Sequence, residues 1–347
     1  MHEVRVSSAA PPEIRRGRRA GTVSAPPPRP PAWEERWAGR LFRGLSPRLA
    51  RQPQPDPPPS LAPWQSLRVP RLARPEGGAN AGGDGDPRGG AAGDIGAGGS
   101  LSATWYEAPA PARGAVLLVH PWVKWGKAYF QRGGRIEALR AAGYHALTLD
   151  LGGFGGSPPG GGFFDLDVAS GLAWLRRRVG DLPVHLWALC SGGYWSHQAL
   201  SGGARAAGAL FEDVALHPFE WSWRMAPRWA PGYLFFRCAF RRSYRFLDLR
   251  RHAAALGLGA VAHVSGERNR SVLPDETREL ARRAGGRCLI VPGADHLGSF
   301  SMARDEVLAL ALATFRQAEQ ADGSELSVPG GGEAVDLGEL VRAELPA

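Results

Sequence analysis

Lysine is almost missing from this 347-residue chain, Lys124 and Lys127 being the only two among 42 basic residues. An arginine bias of that kind follows from base composition as readily as from a ligand, so the net charge of +9 does not argue for nucleic acid as a partner. Cysteine is scarce too. Cys190, Cys238 and Cys288 are too few and too scattered for a disulfide framework or a zinc site, and they fit a reducing compartment, with the cytoplasm as the expected location. Long hydrophobic runs are lacking: no window approaches the ~18 apolar residues of a transmembrane span, and the first 30 residues hold no apolar core of a signal peptide.

What is present divides into four parts. Residues 1–75 hold fourteen Arg against five acidic residues and carry the proline runs at 26–31 and 57–59, so a largely disordered, extended segment is expected. Within it Trp33, Trp37, Leu41 and Leu45 recur every fourth residue, the pattern of a short amphipathic helix over 33–45. Such a helix would dock on the body, on a partner or on an anionic surface. The competing reading is a loosely helical tail, or an upstream stretch created by a misassigned start codon. Residues 76–100, rich in Gly, Ala and Asp, read as a linker, and 321–347 as a C-terminal tail.

From 101 to 320 short apolar runs alternate with helical patterns, the order of an α/β domain with a doubly wound, mostly parallel sheet. Strands are expected at Gly114 to His120, Tyr144 to Leu149, Val184 to Leu189, Ala207 to Phe211, Ala260 to Val264 and Cys288 to Val291, with a closing helix over about 302–319. The segment VHLWALCSGGYW, Val184 to Trp195, is the informative one. A strand that turns at once into a helix holds the turning residue in a strained backbone, and the residues two before and two after it must be small. With Cys190 at the turn those positions are Ala188 and Gly192. With Ser191 there, the earlier position is Leu189, whose branched side chain would crowd the turn. Cys190 is therefore the expected nucleophile and Ser191 the alternative.

The run Ala188-Leu189-Cys190-Ser191-Gly192-Gly193 resembles the cysteine form of the nucleophile elbow of α/β-hydrolases, as in dienelactone hydrolases and polyhydroxyalkanoate synthases. VLLVHPW, Val116 to Trp122, is similar to the family's strand before the oxyanion loop, and LDLGGFGGS, Leu149 to Ser157, to its Asp-x-Arg-Gly-x-Gly-x-Ser turn, with Gly152 in place of Arg. The resemblance spans about Trp105 to Thr314. It implies the α/β-hydrolase fold with a small cap at about 217–256, an oxyanion hole made by the N–H groups of Ser191 and Trp122, and no metal or organic cofactor.

It also implies a general base at His296, in the loop after the last strand, where His120 and His217 are rivals on chemistry alone. At the family's Asp position in the loop after Val264 stands Asn269, whose carbonyl could accept the ring N–H and fix the tautomer. Sulfur tolerates that loss of charge, because a thiol can pass its proton to His before substrate arrives. Asp213 and Glu267 are the alternative acids. The cap is crowded with aromatics that either form its own core or line a pocket for an apolar or aromatic acyl substrate, and its arginines would suit an anionic group on that substrate. The expected activity is cleavage of an ester, thioester or lactone by a Cys190–His296–Asn269 site. An acyltransferase of the polyhydroxyalkanoate synthase type and a non-catalytic hydrolase-like scaffold are the other readings.

Overall fold

The apolar runs assemble into one eight-stranded sheet in a computed structural model that describes residues 26–31, 33–35, 55–72, 99–159, 164–225 and 230–323. The strands are β1 Trp64–Pro70, β2 Ser100–Tyr106, β3 Gly114–Val119, β4 Tyr144–Leu149, β5 Val184–Leu189, β6 Gly208–Glu212, β7 Ala260–Gly266 and β8 Arg287–Val291. They lie in the order β1-β2-β4-β3-β5-β6-β7-β8, with β2 antiparallel to both neighbours and every other pair from β4 onward parallel.

The helices are α1 Arg135–Ala141, α2 Asp165–Val179, α3 Ser191–Ser201, α4 Pro218–Met225, α5 Ala230–Ala239, α6 Arg241–Phe246, α7 Pro274–Ala284, α8 Ser299–Met302 and α9 Arg304–Gly323. Helices on both faces explain why β3 and β5 read as unbroken apolar runs: every residue in them is buried. Leu117, Val119, Leu186 and Ala188 pack toward α2 and α3, while Val116, Leu118, Trp187 and Leu189 meet α9 through Val307, Leu308 and Phe315. Each such side chain contributes about 1.5–3 kcal/mol of burial, and β5, paired on both edges, gives the turn at its end a rigid base.

The sheet starts earlier than the Leu101 boundary expected from composition. β1 pairs with β2 from Trp64↔Tyr106 to Pro70↔Ser100. Its Pro70 sits at the end of an edge strand, where a missing donor is tolerated, and the proline-rich surroundings hid the alternation of WQSLRVP. The N-terminal segment also meets the body. Arg29 bonds Glu35 at 2.9 Å and Asp165 of α2 at 3.1 Å, and Glu34 accepts the N–H of Ser243 at 2.7 Å. That contact is polar: Trp33, first of the predicted apolar stripe, is 55% exposed. Trp37, Leu41 and Leu45, the 76–98 part of the linker and 324–347 lie outside the described residues.

Candidate active site

Three non-glycine residues have positive φ among the described residues, and all three meet at the C-terminal edge of the sheet: Cys190 at 47°, Asp213 at 54° and Leu297 at 61°. Strain of this kind persists only where the surroundings hold it. Cys190 forms the entire turn between β5 and α3, with φ 47° and ψ −117°, and its N–H donates to the Glu212 carbonyl of β6 at 2.8 Å. The register with Cys190 at the turn is the one observed, and Ser191 is already the first residue of the helix. Gly192 is enforced by its neighbours, since a Cβ there would stand 2.5 Å from the His120 carbonyl oxygen and 2.6 Å from that of Val119.

Burial pushes the Cys190 thiol up to about 12, the Asp213 charge adds to the rise, and hydrogen bonds from the N–H groups of Ser191 and then Trp122 oppose it. The two backbone N–H groups expected for an oxyanion hole thus both act to lower the thiol pKa. The loop that carries Trp122 is fixed by His120, which is fully buried, donates from Nδ1 to the Pro121 carbonyl at 2.7 Å and accepts the Leu151 N–H on Nε2 at 3.1 Å. His120 is thus a brace and not a base. His217 is likewise occupied, bonding the Tyr244 carbonyl and the Phe219 N–H in the cap.

His296 follows β8 and comes together with both Asp213 and Asn269. Its Nδ1 lies 3.1 Å from Asn269 Nδ2 and 4.0 Å from Asp213 Oδ2. Asp213 is fully buried; its Oδ1 accepts from Ser265 Oγ at 2.7 Å and Asn269 Nδ2 at 2.8 Å, and its Oδ2 from the Leu297 N–H at 2.5 Å. Burial lowers the His296 pKa from its usual 6.5 and the Asp213 charge works against the drop. One carboxylate thus acts on both the thiol and the imidazole.

The expected contact from the Asn269 carbonyl to the ring is not made. That oxygen accepts the N–H groups of Ser271 and Val272, each at 2.9 Å, and the amide nitrogen faces the ring instead. The raised thiol and the lowered imidazole both favour the neutral pair over a thiolate and imidazolium, burial being the first cause of each. Glu267 is exposed, accepts the Gly293 N–H at 3.0 Å and takes no part. Sequence reasoning missed Ser265 and the Leu297 N–H as the holders of Asp213, and nothing in their residue types announces that role.

No family model and no curated protein matches the sequence. Solved structures do match. An esterase of Pyrococcus furiosus superposes with a TM-score of 0.50 at 17% identity, over 65% of this chain and 86% of that one. The protein AbyA5 gives a TM-score of 0.50 at 18% identity, over 76% of each chain. The chain has the α/β-hydrolase fold. At such identities the likeness speaks to fold alone.

Within this α/β-hydrolase fold, α4, α5 and α6 lie between β6 and β7, in the segment read as a cap. Among its described aromatics Phe219 packs on Phe236 at 4.3 Å, Phe236 on Phe240 at 5.0 Å and Tyr244 on His217 at 4.2 Å, while Trp223 and Phe235 are exposed. A cavity of about 410 Å³ lies instead between α8 and the loop before α1, walled by Trp125, Tyr129, Leu297 and Phe300 and rimmed by Arg132 and Arg304. Leu297, which follows His296, is part of the wall, so the cavity reaches the loop that carries the imidazole. Among the described residues no helix is long and apolar enough to cross a membrane, and no group of three His, Cys, Asp or Glu side chains could hold a metal.

Proposed function

We propose that this protein hydrolyses an ester, thioester or lactone with an apolar or aromatic acyl group, Cys190 serving as nucleophile and His296 as base. A cysteine held at a strained strand-to-helix turn, at the sheet edge where His296 meets Asp213, is the observation that carries this reading. As the sulfur attacks the carbonyl carbon, His296 takes the thiol proton and the N–H groups of Ser191 and Trp122 receive the oxyanion. Collapse of the tetrahedral species breaks the bond to the leaving group, which takes that proton from His296. Water then attacks the acyl thioester, giving its proton to His296, and the carboxylic acid leaves with Cys190 protonated again.

Asp213 is the acid of this site, because it supplies a fixed negative charge for the transient imidazolium, and Asn269 is a positioning residue that holds Asp213. The cavity walled by Trp125, Tyr129 and Phe300 suits the acyl group. The proposal is tested by turnover of short-chain and phenylacetyl p-nitrophenyl esters by the full chain. Cys190→Ala should abolish it and Ser191→Ala should leave most of it. Loss with Ser191→Ala alone would overturn the assignment of the nucleophile.

A further inference from the structure

The cap carries a second concavity, of about 520 Å³, lined by Arg237 and Cys238 of α5, by Arg241, Tyr244 and Arg245 of α6, and by Asp248 and Arg251 beyond it. Several arginines around the cap and on α7 are matched with carboxylates. Arg224 bonds Glu276 at 2.8 Å, Arg250 bonds Glu220 at 3.0 Å, and Arg282 and Arg283 share Glu279 at 2.7 and 2.5 Å. Here the pattern fails. Asp248, the one carboxylate of the lining, is committed to Arg250 at 3.3 Å, with Arg251 at 3.8 Å. Arg237 lies against the Tyr244 ring with its guanidinium 5.6 Å from the centroid. Arg241 and Arg245 have no carboxylate partner among the described residues.

Two like charges one helical turn apart destabilise α6 by about 0.2–0.5 kcal/mol, and no carboxylate among the described residues relieves them. A bound anion would. Guanidinium forks match phosphate oxygens two at a time, and four arginines around one concavity exceed what a single carboxylate can neutralise. A space of this size encloses a small molecule, and the Tyr244 face offers a flat wall for its organic part.

We infer that this cavity binds a phosphate-bearing small molecule through Arg241 and Arg245, with Arg237 and Arg251 completing the charge. The site is independent of the catalytic reading and survives its failure.

Cys238 is exposed and lines the cavity, and so reports on its occupancy. The full chain is treated with iodoacetamide, with pyrophosphate as the probe, and alkylation is followed at Cys238 and at Cys288, which is exposed on β8. Pyrophosphate should slow alkylation of Cys238 and not of Cys288, and chloride at equal ionic strength should do neither. The Arg241→Ala/Arg245→Ala double variant, which alters exposed side chains only, should need about 100-fold more pyrophosphate for the same protection, about tenfold for each charge-assisted hydrogen-bonding group removed. Arg224→Ala, paired elsewhere, should need no more than the parent. Protection no better than chloride gives, or equal in the double variant, would overturn the inference. Protection by phosphatidic acid vesicles without protection by pyrophosphate would overturn it in favour of a lipid surface.

Discussion

Asn269 presents its amide nitrogen to His296, with Nδ2 3.1 Å from Nδ1, while its oxygen is tied to two backbone N–H groups. Turning the amide over would strand both donors, so the orientation is fixed. An amide donor facing Nδ1 favours the tautomer with hydrogen on Nε2, whereas a base needs it on Nδ1, directed at Asp213 Oδ2 4.0 Å away. Asn269 therefore opposes the tautomer that the proposed role of His296 requires. Asn269→Asp sets a second carboxylate 2.8 Å from Asp213 Oδ1 and removes the bond that holds Asp213, so it should lower kcat/KM about tenfold, while Asp213→Asn, tolerated at φ 54°, should lower it about 10³-fold. Steady-state ester kinetics check both; a rise with Asn269→Asp would contradict the holding role of Asn269.

The state of the thiol gives a second expectation. With its pKa pushed up to about 12, Cys190 in the free protein should be alkylated slowly at pH 7, and faster with every step in pH through 10. A thiolate–imidazolium pair would instead give fast alkylation with a plateau below pH 7. The rate at Cys190, read by peptide mass spectrometry from pH 5 to 10, separates the two.

The sheet from β3 to β8 was legible because buried parallel strands write themselves as apolar runs bounded by turns, and Ala188 and Gly192 placed the elbow residue by sterics alone. β1 was not legible, since an edge strand needs little hydrophobicity and its flanking prolines spoke for disorder. In the candidate site, the strained turn at Cys190 and the loop of His296 could be placed from sequence. The relative roles of Asp213 and Asn269 could not, because both residue types bond imidazole and what separates them is orientation: two N–H groups from Ser271 and Val272 claim one end of the amide. Tyr129 was missed because a tyrosine in a glycine-containing loop has no spacing that marks it as a cavity wall.

Gly192 tests the elbow as a piece of structure. An added methyl would meet two carbonyl oxygens, at 2.5 and 2.6 Å, that belong to β3 and to the residue after it and cannot yield. Gly192→Ala should destabilise the fold by about 2–4 kcal/mol and displace the Trp122 loop. Chemical denaturation measures the first, and the fall in kcat relative to the fall in stability measures the second.

Beneath the site His197 donates from Nδ1 to the Gly193 carbonyl at 2.8 Å and accepts on Nε2 from His263 Nε2 at 3.1 Å. Burial lowers His197 from 6.5 to about 4, and lowers His263 as well. The unfolded chain therefore binds protons that the folded chain refuses. Stability is full above pH 6.5, falls as pH drops from there, and by about pH 4 has lost on the order of 3 kcal/mol through His197 alone. Urea unfolding at pH 7, 5.5 and 4 should show this slope; equal midpoints would contradict the neutral pair.

The sulfur of Cys190 is the point on which the whole account turns, and trapping the acyl group measures it directly. The full chain is mixed with an excess of p-nitrophenyl phenylacetate, quenched in acid within seconds and digested. The peptide bearing Cys190 should carry one phenylacetyl group as a thioester that neutral hydroxylamine removes, and more of it should accumulate in Asp213→Asn, where deacylation is slowed. An acyl group found on Ser191, or ester turnover with no adduct at residue 190, would contradict the account.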